Sequence, residues 1–493
     1  MAVQLVDCLV QALANAGVGY CNWKSNFHLS EDLEQGGELD LLVSRNDTLR
    51  FERILSDLGF KQAYDPIQVS GVPIFHYYGL DQPSGKLIHL HVYYRVVTGE
   101  SLLKDYCFPI EELLLRNTRM VQGVPVPQPS AELIVFVLRA MIKHASPLDY
   151  AHLRGGSRSG YADMRAELVA LLAGGDAARC SELLARWLPG VDSALFYQCI
   201  EALRGDAPMP RRLLLATRLR RQLRAYRRFS PVTAMAQRAA LVLKRTRWRV
   251  SHGGKSKRLA SGGAVVAFVG PEATGKSTLV HETASWLGKI FDVSTAHLGK
   301  PPATVLTYLP NLMLPLLRRA APQHRMSRVE QQAGASGSER VSLLYGVRSV
   351  LVAWDRHALA ARIRRRAVDG GIVICDRYPS ACVGAMDSAR LAVPAKGDRR
   401  RRVLRYLATL ENHLYRKIPP PDTVIRLTVP VEVAIARNQE RQKKGKENDA
   451  YVLRRHTVDA VPTFPASRTI ELDSNQSRAQ TIAAARQMVW ESL

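Results

Sequence analysis

The stretch AVVAFVGPEATGKSTLVHETASWLGKI, residues 264–290, decides how the second half of this chain folds. Six apolar residues (264–269) read as a buried strand, and residues 277–290 carry a helical pattern. Between them Gly270-Pro271-Glu272-Ala273-Thr274-Gly275-Lys276-Ser277 follows the spacing G-x-x-x-x-G-K-[ST]. Glycines let the backbone curl until its amides surround an anion. The helix that follows aims its positive end at the same point. Lys276 can reach terminal phosphate oxygens, and the Ser277 hydroxyl can hold Mg²⁺. The spacing therefore predicts a loop, Gly270 to Thr278, that takes ATP with Mg²⁺.

Working outward, apolar runs alternate with helical stretches: FDVSTAHLG, GIVICD, DTVIRLTV and RTIELD follow the loop in turn. Strands separated by helices predict an α/β fold with a parallel sheet and helices on both faces. Asp376 closes the run Ile372-Val373-Ile374-Cys375, which puts a carboxylate where a second strand emerges near the loop, suited to Mg²⁺ or to orienting an acceptor. Arg377 follows it and can neutralise phosphoryl charge. No N-K-x-D guanine signature occurs, which disfavours a GTPase.

GPEATGKST, Asp376-Arg377-Tyr378 with Ser380, and Pro421-Asp422 leading into VIRLTVPVEVAIARNQER together resemble the thymidylate-kinase-like nucleoside and nucleotide kinases, over residues 263–493. The resemblance implies that Glu272 faces the acceptor and that Arg377 touches transferred phosphate. It implies that Arg437 and Arg441, with Lys443, Lys444 and Lys446, form a cationic lid. Arg356, in Ala353-Trp354-Asp355-Arg356, takes the position of an acceptor-contacting arginine, and Asp473 and Asn475 that of an adenine-packing loop. Two departures stand out. The acceptor loop reads His297-Leu298-Gly299-Lys300-Pro301-Pro302-Ala303-Thr304, with Lys300 and Thr304 as substrate-binding candidates beside Tyr378, and ACVGAMDS replaces the usual aromatic and glutamine pair. Both leave the acceptor open. The basic lead-in, the GKPPAT loop and the fused first domain resemble such proteins of bacterial surface-polysaccharide clusters.

Residues 1–128 mix helical and strand patterns, as in a small α/β domain. Trp23-Lys24-Ser25, then Glu38-Leu39-Asp40-Leu41-Leu42-Val43, resembles the nucleotidyltransferase pattern of two acids one residue apart on a strand. Alternation puts Glu38 and Asp40 on one face, as a two-metal site requires. Lys24 replaces the glycine of that pattern. The strand expected to supply a third carboxylate, KLIHLHVYY, carries His89 and His91 instead, which also share a face. The domain reads as an active nucleotidyltransferase or as a fold kept for binding.

Residues 129–205 read as helices. No acidic residue occurs between Asp206 and Glu272, whereas sixteen arginines and lysines fall between Arg211 and Arg258. Leu215, Leu219, Leu223 and Tyr226 give that basic stretch an apolar stripe, and residues 251–263 close it as a flexible linker. The sequence thus divides into 1–128, 129–205, a connector 206–262, and 263–493. Lys and Arg number 69 against 44 Asp and Glu, a formal charge of +25, which calls for an anionic partner. The 211–258 run suits an anionic membrane surface or acidic glycan. Sparse aromatics make nucleic acid the poorer match. Seven cysteines without ligand spacing fit a reducing cytosol. No apolar run approaches the roughly 18 residues of a membrane span, and the first residues read as an amphipathic helix. The expected protein is cytoplasmic, at most peripheral to the inner membrane face.

The expectation is an ATP- and Mg²⁺-dependent kinase acting on a nucleotide-like or sugar-like small molecule. The alternatives are a nucleotide-switched scaffold docking on membrane or an envelope assembly, and a nucleotidyltransferase in the first domain.

Overall fold

The computed structural model describes residues 3–67, 73–100, 102–143, 158–205, 207–252, 257–320, 342–380, 382, 387–393, 399–440, 449–457, 463–465 and 467–493. The chain is mixed α/β and divides into two compact units, Met1–Lys255 and Ser256–Leu493.

The second unit is built on five strands, all parallel, side by side in the order Val293–His297, Ile372–Asp376, Val265–Val269, Thr423–Thr428, Arg468–Asp473. Successive side chains of a strand point to opposite faces. All five residues of Val265–Val269 and of Ile372–Asp376 are buried, so both faces of the sheet are covered there. Such doubly buried strands read as unbroken apolar runs. On one face Val265, Ala267, Val269, Val373 and Cys375 pack against Leu359, Ala360, Ile363 and Ala367 of the helix Leu343–Val368. The outermost strands carry polar residues, as edges require.

The first of these strands in the chain is central. The next two lie on one side of it and the last two on the other. Connections therefore reverse direction at Val265–Val269, and parallel strands put all their carboxyl ends along one edge. That crevice is where open α/β sheets take ligands. The 251–263 stretch is not a free linker throughout. The helix Pro231–His252 enters it, and residues 257–263 are stitched into the second unit by Lys257 N–H to Ile290 O, Leu259 N–H to Gly370 O and Gly263 N–H to Ala367 O. Backbone pairing, invisible in a Gly/Ser/Lys composition, is the reason.

In the first unit Tyr20–Asn22, Glu38–Val43, Lys86–Tyr93, Ile74–Asp81 and Lys61–Tyr64 lie side by side in that order. Glu38–Val43 pairs parallel with Lys86–Tyr93, and the other pairings are antiparallel. Leu9 and Leu13 of Gln4–Asn15, with Phe51 and Leu55 of Thr48–Asp57, pack against Leu39, Leu41, Leu90 and Val92. A second core joins Trp23, Leu42 and Tyr93 to the helices from Pro129–Lys143 to Met209–Gln222. Leu215, Leu219 and Leu223 are buried in it.

Part of the basic run is thus internal structure. Arg220 donates to Ile142 O (3.1 Å), Arg227 to the Tyr106 hydroxyl (3.1 Å) and Arg228 to Lys104 O (3.1 Å), while Arg238 pairs with Glu100 at 3.2 Å. The helix Pro231–His252 differs in leaving Val232, Met235, Leu243 and Val250 exposed. Among the described residues no helix is long and apolar enough to cross a membrane.

Candidate functional site

The loop 270–277 leaves the central strand through backbone only glycine tolerates. Gly270 has φ +148° and Gly275 φ +91°, and a Cβ on Gly270 would stand 2.7 Å from Leu427 O. Ala273 also lies in the left-handed region, at +63°. Among the described residues no carbonyl accepts from the backbone amides of Ala273, Thr274 or Gly275. A curl of this kind can present such donors to an anion. Lys276 begins the helix Lys276–Leu287 and is buried. Its Nζ curls back onto Pro271 O and lies 3.3 Å from Thr274 Oγ1. Thr278, one residue past Ser277, is exposed in the first helical turn.

Ser277 Oγ donates to Asp376 Oδ2 at 2.7 Å. The loop and the strand-end acid, 99 residues apart, thereby meet. The other oxygen, Asp376 Oδ1, is buried and accepts no hydrogen bond among the described residues. A buried carboxylate oxygen beside a serine hydroxyl is a hard donor set that fits Mg²⁺.

Arg377 follows at φ +70°, a conformation that side chains other than glycine seldom adopt and that clusters at functional sites. The turn brings its guanidinium 3.5 Å from Glu272 Oε1 and 3.5 Å from Asp387 Oδ2. Gly299 backs this contact: a Cβ there would meet Arg377 Cδ at 2.8 Å and His297 Cε1 at 2.8 Å. Burial pulls the His297 imidazole below its usual range, with the neighbouring Asp376 carboxylate opposing.

The helix Val431–Gln439 lies against the loop, Ala434 packing with Ala273 and Val452. Arg437 projects from it and donates to Ser474 O at 2.9 Å, in the loop carrying Asp473 and Asn475. Asp473 accepts from the Asn475 amide at 2.8 Å, and both side chains are exposed. Arg441, with Lys443, Lys444 and Lys446, lies outside the described residues.

Arg356 is buried and all five of its N–H groups are engaged. Nε donates to Leu298 O (2.8 Å), one terminal nitrogen to Asp387 O (2.8 Å) and the Tyr415 hydroxyl, and the other to Gly299 O (3.2 Å) and Asp387 Oδ1 (3.1 Å). It therefore ties the loop after Val293–His297 to the 387 segment and keeps no donor for a bound acceptor. Just before the helix Val305–Ala320 the Thr304 amide donates to Thr307 Oγ1 (2.9 Å) and Asp355 Oδ1 (3.0 Å), whereas Lys300 is exposed. Tyr378 is buried and donates to Pro419 O at 2.6 Å. It lines a cavity of about 320 Å³ with Ser380, Asn412, Tyr415 and Phe464. A smaller cavity, about 160 Å³, lies beside Arg356 and is lined by Gly299, Arg348, Arg390 and Glu411 among others.

Asp387, Glu411 and Tyr415 escape a reading of the sequence. Glu411 had one signal: it falls on the apolar stripe of its helix with Leu404, Ala408 and Leu414. There it accepts from the Leu391 amide at 2.8 Å and from the Arg390 amide at 3.2 Å. Burial raises its carboxyl above the ordinary range, with those two amides opposing.

In the first unit, Asp40 faces Lys24, Nζ to Oδ1 being 2.5 Å, and Glu38 contacts His89 (3.3 Å) and His91. The third position near the acid pair belongs to His91, not to a carboxylate. No family model matches this chain, and no curated protein matches its sequence.

Proposed function

We propose that the Ser256–Leu493 unit is an ATP-dependent phosphotransferase of the thymidylate-kinase-like type, acting on a small acceptor that carries an anionic group. The observation that carries the reading is the meeting of Ser277 and Asp376, with the second Asp376 oxygen buried and uncommitted, at the foot of a loop whose amides are open. Ser277 and Asp376 would hold Mg²⁺, which when bound neutralises charge on the phosphate oxygens. Lys276 and Arg377 supply positive charge where it develops on the migrating phosphoryl group, and Arg437 adds to it from the neighbouring helix. Glu272 fixes Arg377 and orients the acceptor oxygen. Catalysis of this kind is positioning and electrostatics, with no covalent enzyme intermediate.

The cavity beside Arg356 supports an anionic acceptor, since Arg348 and Arg390 line it. Its small volume suits a phosphate or carboxylate, with the remainder of a nucleotide-like or sugar-like molecule lying in the larger cavity under Tyr378. The test is ADP formation by purified protein with nucleoside monophosphates, sugars and sugar phosphates offered in turn. One acceptor class should stimulate ADP release at least tenfold over water, and stimulation should vanish in Lys276→Ala. Indifference to every acceptor, with slow hydrolysis, would instead favour a nucleotide-switched scaffold. Exposed Val232, Met235, Leu243 and Val250 on a basic helix give that second reading its support, as a surface for anionic lipid.

A further inference from the structure

Three strands of the first unit, Glu38–Val43, Lys86–Tyr93 and Ile74–Asp81, are neighbours. Their register sets Glu38 opposite His89, Asp40 opposite His91, and His76 opposite His91 on the other side. Alternation then brings Glu38, Asp40, His76, His89 and His91 onto one face. The ring centroids of His76 and His91 are 4.3 Å apart, those of His89 and His91 5.0 Å, and those of His76 and His89 5.3 Å. His76 Nδ1 lies 3.0 Å from His89 Nε2. One ligand-capable nitrogen from each of the three lies within 4.8 Å of the others. Tetrahedral zinc holds nitrogen at about 2.0–2.1 Å, so ordinary side-chain rotation closes the triangle onto one ion.

The surroundings favour this. Tyr78 stacks on His89 (4.4 Å, 2° between planes), and Tyr93 meets His91 edge-on at 5.7 Å, so two rings are already oriented. Glu38 Oε2 stands 3.3 Å from His89 Nδ1 and Oε1 contacts His91. Glu38 is the exposed member and leaves a path for an ion to enter. Lys24 sits on Asp40 and offsets its charge. Glu38 then leaves the cluster net negative, which attracts a dication. Three imidazoles are borderline donors and prefer zinc-like metals to Mg²⁺.

We propose that His76, His89 and His91 form a mononuclear zinc site, with Glu38 on the Nδ1 side of His89 and His91 as an outer partner and Asp40, held by Lys24, likewise outside the coordination sphere. The site replaces the carboxylate-pair metal site that the sequence suggested for Glu38 and Asp40, and it is independent of the phosphotransferase reading.

The test is calorimetric titration of the full-length, chelator-stripped protein with Zn²⁺, with Co²⁺ absorption reporting coordination. We expect one saturable equivalent that is absent when His76, His89 and His91 are all changed to Ala. His76→Gln, which keeps the volume and removes the ligand, should weaken zinc by more than the roughly 10–100-fold that loss of an outer partner costs. Asp40→Asn should change it only a few-fold. Circular dichroism checks folding, and if the triple variant does not fold, His76→Gln carries the test. Unchanged zinc affinity in His76→Gln overturns the proposal. So does selective Mg²⁺ or Mn²⁺ binding that Asp40→Asn abolishes, since the carboxylate pair would then be the site.

Discussion

Two regions gather charge by opposite means: the loop edge of the parallel sheet in the second unit, and the histidine face of the mixed sheet in the first. At the edge, strands end and backbone is released. Donors there come from amides of 273–275 as well as from side chains, and loops from distant parts of the sequence converge on one crevice. On the face, the strands pair with one another along their length, and what they offer is side chains at fixed pleat spacing. A face can encircle an ion. An edge can enclose a molecule. This explains why a histidine triangle and a glycine-turned loop occur in one chain without either needing the other.

Lys276→Ala should break the edge site most completely. Phosphoryl transfer should fall about 10²–10³-fold, roughly 3–4 kcal/mol of transition-state stabilisation, while zinc uptake by the first unit stays as in wild type. Acceptor-dependent ADP release beside zinc calorimetry measures both, and joint loss would end the separation of the two regions. Gly270→Ala asks whether the edge depends on its backbone. A Cβ 2.7 Å from Leu427 O at φ +148° should cost about 1–3 kcal/mol, read as a lower melting point of the second unit.

Ser277→Ala leaves the loop intact and removes one donor of the Mg²⁺ pair. It should raise the Mg²⁺ concentration for half-maximal rate about tenfold, the effect of roughly 1.4 kcal/mol, with little change in melting. An unchanged Mg²⁺ requirement would count against Ser277 and Asp376 as its holders. The smallest effect concerns pH. The Glu411 carboxyl is raised in the folded state, so its contribution to stability is fully present below the unfolded value and is lost as pH climbs through the shifted one. Denaturant midpoints should therefore drop across that interval. Glu411→Gln should flatten the drop, and a rise instead would mean that the Leu391 and Arg390 amides outweigh burial.

How much could be read beforehand follows from how each feature is encoded. The 270–277 loop and Asp376 are contiguous patterns, a strand ending in a glycine turn and a strand ending in an acid, and local sequence carries both. His89 and His91 were visible because alternation is local. His76 was not, because the register of Ile74–Asp81 against Lys86–Tyr93 brings it in. Asp387 and Tyr415 reach Arg356 only through tertiary packing, 31 and 59 residues away, and no spacing rule links them. Arg356 was legible as a position, yet its five engaged donors were not.

That arginine has a consequence for how an acceptor would be chosen. Its planar fork is bonded to three stretches of chain, at 298–299, 387 and 415, so the wall on that side is cast in advance and would not have to assemble around a guest. Under the proposed function, selection there would rest on fit to a shape already set. Broadening the range of accepted molecules would require loosening this clasp, at the expense of the wall itself.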